Sequence, residues 1–280
     1  MTSRSTNAKT GLRVREPTTP AEIAGGRSGL SRRDFLWSGM SALAAPLFLS
    51  CGNTPTEPAP DPRLTARPGS PTETPTIGLS ELGLGGIIGR DGLLYVPASY
   101  SPDVPAPLFI GLHGAGGAAD DWASYHARAE ARGMIFLAPE SRSSTWDVLL
   151  GGFGPDVEFL DLALRHTFQR CRIDPGRIAL GGFSDGASYA LSLGLPNGDL
   201  FSNLVAYSPG FYVRPEQSVG KPAIFVSHGT DDSILPVSAS RDNIVPTLRD
   251  DGYDVVYQEF VGGHEVPAEI SEAALDWFLR

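Results

Sequence analysis

Gly182-Phe183-Ser184-Asp185-Gly186 is the stretch that decides the fold of this 280-residue chain. It has the pattern Gly-x-Ser-x-Gly. It lies between a run that reads as a buried strand, residues 177–181, and one that reads as a helix, residues 187–195. A serine at such a junction is forced onto a sharp turn, with its hydroxyl exposed above the edge of a sheet. The flanking glycines are needed because neighbouring backbone crowds the turn and a side chain would clash. The pattern alone is common by chance, and its position between strand and helix is what points to a nucleophile.

A serine hydroxyl is a weak nucleophile at neutral pH. It needs a base within hydrogen-bond reach, and the base needs an orienting group. Downstream of Ser184 there are two histidines, His228 and His264. His228 ends an apolar run, residues 222–227, and is followed by Gly229-Thr230-Asp231-Asp232; His264 lies in Gly262-Gly263-His264-Glu265-Val266-Pro267. Both segments fall after predicted strands, at the edge where open α/β sheets place their sites. Ser184, Asp232 and His264 therefore arrive at one edge in an order that suits nucleophile, acid and base, with Asp231 the other acid on that loop. An oxyanion hole needs two backbone N–H donors. One is assigned to Asp185, the residue after the serine. The other is assigned to Ala115, in the glycine-rich run His113-Gly114-Ala115-Gly116-Gly117 that follows the apolar strand 107–112.

With these four segments in order, from about Ile87 to the C-terminus, the chain resembles the compact serine esterases of the α/β-hydrolase superfamily. It looks most similar to the phospholipase/carboxylesterase (acyl-protein-thioesterase-like) group, with the polyhydroxybutyrate-depolymerase and feruloyl-esterase-like group a near relative. The resemblance implies an α/β-hydrolase fold, with a mostly parallel central sheet and helices on both faces. It implies a serine hydrolase of carboxylic esters or thioesters that needs no metal or organic cofactor. The pattern of His228-Gly229 followed by Asp232 and Pro236 implies Asp232 as the acid in preference to Asp231. Gly263-His264 followed by Pro267 implies His264 as the base. Asp185 departs from the pattern, since thioesterase-like relatives often carry Gln there. Its carboxylate is expected to point away from the oxyanion.

Composition sets outer limits. Hydrophobic residues make up 41% of the chain and its formal net charge is -10. Residues 1–50 hold seven basic and three acidic residues, leaving fifteen basic and twenty-nine acidic in the rest. A domain so acidic repels nucleic acid and anionic lipid headgroups. The expected partner is a small-molecule or acyl-ester substrate. The two cysteines, Cys51 and Cys171, make no disulfide framework, and no Cys/His spacing suggests zinc. Cys171 reads as a small buried hydrophobe.

Ser31-Arg32-Arg33-Asp34-Phe35-Leu36 is a twin-arginine pattern followed by a mostly apolar run, residues 35–49, that is too short to span a bilayer. Residues 1–50 are therefore read as an export signal. Phe48-Leu49-Ser50-Cys51-Gly52 resembles a bacterial lipobox, with Cys51 as the lipidated residue and membrane contact confined to that anchor. The alternative is plain cleavage nearby and release. Residues 51–76, rich in Pro and Thr, read as a disordered tether, and 77–280 as the catalytic domain.

Within that domain, strands are expected over 87–96 (broken by a turn at Arg90-Asp91-Gly92), 108–112, 134–138, 177–181, 204–207, 223–227 and 254–261. Helices are expected over 120–132, 155–170, 187–195, 237–250 and 267–279. The short interval between Tyr207 and Ala223 argues against a large lid. His113 reads as a brace for the oxyanion loop and His228 as a brace for the acid loop. His126 and His166 read as surface or boundary residues. Trp122, Trp146 and Phe211 either line an acyl or aromatic pocket or pack locally. Asp156 and Glu158 read as an N-terminal helix charge pair. A cell-envelope binding protein that keeps this fold without turnover is the other class of function open at this point.

Overall fold

Strand β3 (Ala106–Leu112) is buried along its whole length, and its side chains alternate between two cores. Leu108, Ile110 and Leu112 enter one apolar cluster, and Phe109 enters the other. The same period of two runs through β4 (Ile135–Pro139), β5 (Ile173–Phe183), β6 (Asn203–Tyr207) and β7 (Ala223–Gly229). Continuous apolar runs of this kind are the mark of parallel strands covered on both faces. With β1 (Gly78–Glu81), β2 (Gly92–Val96) and β8 (Val255–Phe260) they form one eight-stranded sheet, ordered β1-β2-β4-β3-β5-β6-β7-β8. The pairs β1–β2 and β2–β4 are antiparallel; the other pairs, from β4 through β8, are parallel.

Helices α1 (Ala123–Arg132) and α6 (Ala268–Phe278) cover one face. Helices α3 (Pro155–Arg170), α4 (Asp185–Gly194) and α5 (Val245–Asp250) cover the other. A single turn, α2 (Asp147–Leu150), precedes α3. The β6–β7 connection, residues 208–222, contains no helix, so no lid domain sits over this edge of the sheet. The fold is that of an α/β hydrolase.

The computed structural model describes residues 61–280. The twin-arginine segment and Cys51 lie outside the described residues. Within them, three sequence expectations need correction. The early strand over 87–96 is shorter: Gly86–Ile88 is a 3-10 turn, the strand begins at Gly92, and an additional edge strand, β1, precedes it. The tether assigned to 51–76 is, from residue 61 onward, a strap lying on the domain. Leu64 and Ala66 are 2% and 3% exposed and belong to the core under α3 and α4. Leu64 N–H donates to Asn197 Oδ1 (2.8 Å), and the Thr65 and Ala66 N–H groups both donate to Asp161 Oδ1. Thr72 and Glu73 N–H donate to Gln169 O, and Arg63 makes a two-pronged ion pair with Asp199. Low hydrophobicity suggested a free chain. The segment is held instead by buried Leu64 and Ala66, by the Arg63 ion pair and by its backbone donors, whose distant partners composition does not register. Helix 237–250 also differs, being one π-helical turn, Ala239–Ile244, followed by α5.

Candidate active site

The site is built where β5 ends and α4 begins. Ser184 has φ 57° and ψ -118°, a left-handed backbone that costs a non-glycine residue on the order of 1–3 kcal/mol. The surroundings hold it there. Ser184 N–H donates to Tyr207 O (2.9 Å), and Ser184 O accepts from Ala187 and Ser188. A Cβ on Gly182 would stand 2.2 Å from Gly186 O, and one on Gly186 would stand 2.1 Å from Leu112 O. No side chain fits at either place, so both glycines of the motif are dictated by close backbone approach.

The loop after β8 brings His264 over the serine. Its Nε2 lies 2.8 Å from Ser184 Oγ, and its Nδ1 lies 2.6 Å from Asp232 Oδ2. A carboxylate only accepts, so Nδ1 carries the proton and Nε2 presents a lone pair to the serine hydroxyl. Asp232, not Asp231, faces the imidazole; Asp231 is exposed, and its N–H is bonded to Gly262 O. Asp232 Oδ1 accepts from Ile234 N–H (2.9 Å) and Leu235 N–H (2.8 Å). Burial pushes its pKa up, but the His264 hydrogen bond and these two amides outweigh it and hold the carboxyl below its ordinary value. The side chain is thus an anion aimed at the histidine.

The two braces lie where the sequence places them. His228, fully buried, points Nε2 at Leu235 O (2.9 Å) and Asp232 Oδ2 (3.3 Å), and its Nδ1 accepts from Ser240 Oγ–H (2.7 Å). It holds the acid loop and is remote from the serine's proton. His113 donates from Nδ1 to Gly114 O (2.7 Å) and accepts Ser141 N–H at Nε2 (3.1 Å). Burial and the nearby Arg90 push its pKa down, against the Gly114 hydrogen bond. A neutral, doubly bonded ring suits a loop support.

Around the oxyanion position, Gly116 N–H is bonded to Ser144 O (2.6 Å) and Gly117 N–H to Gly114 O (3.1 Å). The Ala115 and Asp185 N–H groups have no protein acceptor among the described residues. The oxyanion loop passes directly by the serine, since a Cβ on Gly114 would lie 3.5 Å from Ser184 Cβ. The Asp185 carboxylate turns away to accept from Thr145 Oγ1–H (2.6 Å).

A cleft of about 560 Å³ opens beside this group on the α1/α6 face. Its lining includes Trp122, Tyr125, Phe183 and Val266 together with Ala115 and His264. Phe183 lies against the imidazole, with ring centroids 4.7 Å apart. Of the three aromatic candidates, Trp122 therefore faces the cleft. Trp146 is instead buried against Tyr189 and donates from Nε1 to His113 O, and Phe211 lines a separate groove beside α5. His126 stacks on Tyr95, and His166 is half-buried on α3. Cys171 is buried, and its thiol is pushed up to about 12.

Asp156 and Glu158 both lie in the first turn of α3, as the sequence suggests, but Asp156 does more than face the helix end. It is buried and accepts from Arg142 N–H and Asp147 N–H, while Asp147 accepts from Asp156 N–H. Glu158 alone is exposed. This clasp, Thr145 and the Arg90 brace (Nη2 to Gly117 O, 2.8 Å) escaped the sequence reading. Arg90, Gly117 and Thr145 lie in irregular loops with no periodicity, and Asp147 lies in a four-residue turn too short to show one. Among the described residues no helix is long and apolar enough to cross a membrane, and no group of three or more His, Cys, Asp or Glu is placed to hold a metal ion.

Comparison with known proteins agrees with this fold. The sequence profile of the phospholipase/carboxylesterase family matches residues 157–275. Feruloyl esterase C of Emericella nidulans is 27% identical over 164 residues, 55% of this chain and 59% of that protein. The chain thus spans little more than half the length of that relative. Acyl-protein thioesterase 1 of Gibberella zeae is 26% identical over 231 residues, 69% of this chain and 96% of that protein. The carboxylesterase of Bacillus cereus superposes with a TM-score of 0.54 at 20% identity, covering 70% of this chain and 97% of that one. On these grounds the chain has the α/β-hydrolase fold, and residues 157–275 carry the sequence pattern of the phospholipase/carboxylesterase family.

Proposed function

We propose that this protein is a serine hydrolase that cleaves carboxylic esters or thioesters through an acyl-enzyme. One observation carries the reading: an unbroken line of hydrogen bonds from Ser184 Oγ through His264 to Asp232, beside two unclaimed amides. His264 Nε2 takes the hydroxyl proton as Ser184 Oγ attacks the carbonyl carbon. The Ala115 and Asp185 N–H groups receive the oxyanion, each worth about 3–4 kcal/mol of barrier in comparable sites. Asp232 holds the imidazole in the right tautomer and stabilises the imidazolium. The tetrahedral intermediate collapses, and the leaving alcohol or thiol takes the proton from Nε2. Water then gives a proton to His264 and its oxygen to the acyl carbon, releasing the acid and restoring the serine.

The aromatic walls of the cleft favour a flat or bulky apolar acyl group, and the feruloyl esterase relative supports an aromatic acid as one such substrate. Polyester depolymerisation is the other hydrolytic alternative, and the open edge without a lid suits it. A binding protein without turnover is the alternative from another class. It is disfavoured because every part a working serine requires is present.

Export through the twin-arginine segment, with Cys51 lipidated at the cell envelope or the chain cleaved nearby and secreted, belongs to the same proposal. Mass spectrometry of the mature N-terminus tests it. For the chemistry, p-nitrophenyl acetate, butyrate and an aromatic acyl ester are offered to the full chain and to Ser184→Ala. Turnover by the wild type and a loss of about 10⁴-fold or more in the variant are expected. Equal rates would refute the assignment.

A further inference from the structure

The residue after the candidate nucleophile has two duties that conflict. Its N–H is to receive an oxyanion, yet its side chain is a carboxylate attached to the same Cα. An anion about 5 Å from a developing oxyanion, in a partly buried site, opposes it strongly enough to slow the step tenfold or more. The structure keeps the two apart. Asp185 Oδ2 accepts from Thr145 Oγ1–H at 2.6 Å, and both residues are only partly exposed.

Thr145 is itself fixed from both sides. Upstream, Ser141 N–H donates to His113 Nε2, and Ser141 Oγ–H donates to Ser143 O (2.7 Å). Ser144 O accepts Gly116 N–H. Downstream, Trp146 Nε1–H donates to His113 O (2.9 Å), and Asp147 N–H donates to Asp156 Oδ2 (2.7 Å). A loop pinned at Ser141, Ser144, Trp146 and Asp147 does not follow its partner, so the hydroxyl sets where the carboxylate points.

We propose that Thr145 is a positioning residue that holds the Asp185 carboxylate out of the oxyanion pocket, leaving the Asp185 amide free to serve it. The inference rests on the esterase reading above. It differs from a mere brace between loop and helix because it depends on the charge of Asp185.

The experiment measures kcat, KM and melting temperature of the full chain on p-nitrophenyl butyrate. Thr145→Val removes the donor at nearly constant shape, and kcat is expected to fall about tenfold or more with KM within about twofold. Thr145→Ser keeps the donor and is expected to stay close to wild type. Made in an Asp185→Asn background, Thr145→Val is expected to cost less than about twofold, because no charge is left to misdirect. Asp185→Glu and Asp185→Gln form a second pair of equal shape and unequal charge, read even if Thr145→Val fails to fold. The Glu variant, whose carboxylate outreaches the fixed hydroxyl, is expected to be about tenfold slower in kcat than the Gln variant. An active wild type with unchanged Thr145→Val, an equal loss in the Asp185→Asn background, or equal Glu and Gln variants would overturn the inference alone. A wild type that neither turns over nor reacts with a fluorophosphonate would overturn the esterase reading and this inference with it.

Discussion

Leu64→Ala tests whether the strap over residues 61–75 is part of the folded domain. Leu64 is 2% exposed, and it packs into the core shared by α3 and α4. Its backbone N–H is bonded to the buried Asn197, which in turn donates to Pro62 O (2.9 Å). The substitution leaves those hydrogen bonds intact and removes only side-chain carbon. Loss of a buried leucine side chain costs about 2–5 kcal/mol, and the lower end applies here because a surface strap can settle toward the vacated space. For a domain of this size, each kcal/mol moves the melting temperature by about 2–4 °C. A fall of roughly 4–10 °C is therefore expected by calorimetry or circular dichroism. Ser70→Ala, at an exposed position of the same strap, is the control and is expected to stay within about 0.5 kcal/mol of wild type. If Leu64→Ala melts with the wild type, the strap is not docked. Residues 77–280 would then be the whole domain, as composition suggested.

Three further outcomes are expected. Burial, with the Asp147 charge adding to it, raises the Asp156 carboxyl to about 6 against its amide donors. The folded chain keeps that proton where the unfolded chain has lost it, so this group's contribution is complete below about pH 4 and is lost as pH rises through about 6. Urea unfolding at pH 4 and pH 7 should show wild type losing on the order of 2–3 kcal/mol relative to Asp156→Asn across that window; parallel profiles would refute the shift. Gly186→Ala puts a methyl 2.1 Å from Leu112 O and is expected to lower stability by about 3 kcal/mol or more, or to prevent folding, as soluble yield and melting temperature would show. Asp232→Asn should lower kcat by about 10⁴-fold through the wrong imidazole tautomer, whereas Asp231→Asn should stay within about threefold, and a reversed order would move the acid to Asp231.

How far the sequence reaches depends on whether a feature is carried by a local pattern. Helix α3 is expected over 155–170 and observed at Pro155–Arg170, because Pro155 at its start and a regular apolar stripe mark it. The buried strands β3 to β7 are legible from apolar runs bounded by turns. Ser184, Asp232 and His264 sit in short motifs whose order alone brings them to one sheet edge, and they lie within hydrogen-bond distance there. The strap was illegible because its hold on the domain is made by backbone N–H groups meeting Asn197, Asp161 and Gln169, partners about a hundred residues away. The Asp147–Asp156 clasp is illegible for a related reason. An acid in the first turn of a helix marks a helix-end charge, which Asp156 is, and only the three-dimensional return of residues 142–147 buries it. Strand β1 is four residues at the sheet edge, too short for its alternation to register.

The most direct test is the intact mass of the full chain after reaction with a fluorophosphonate. That reagent bonds to a serine only when a base has made its hydroxyl nucleophilic. Catalysis by Ser184 with His264 as its base requires one adduct on wild type, mapped to Ser184 and absent from Ser184→Ala, with strongly slowed formation in His264→Ala. An unlabelled wild type, or an adduct that persists in Ser184→Ala, would contradict it.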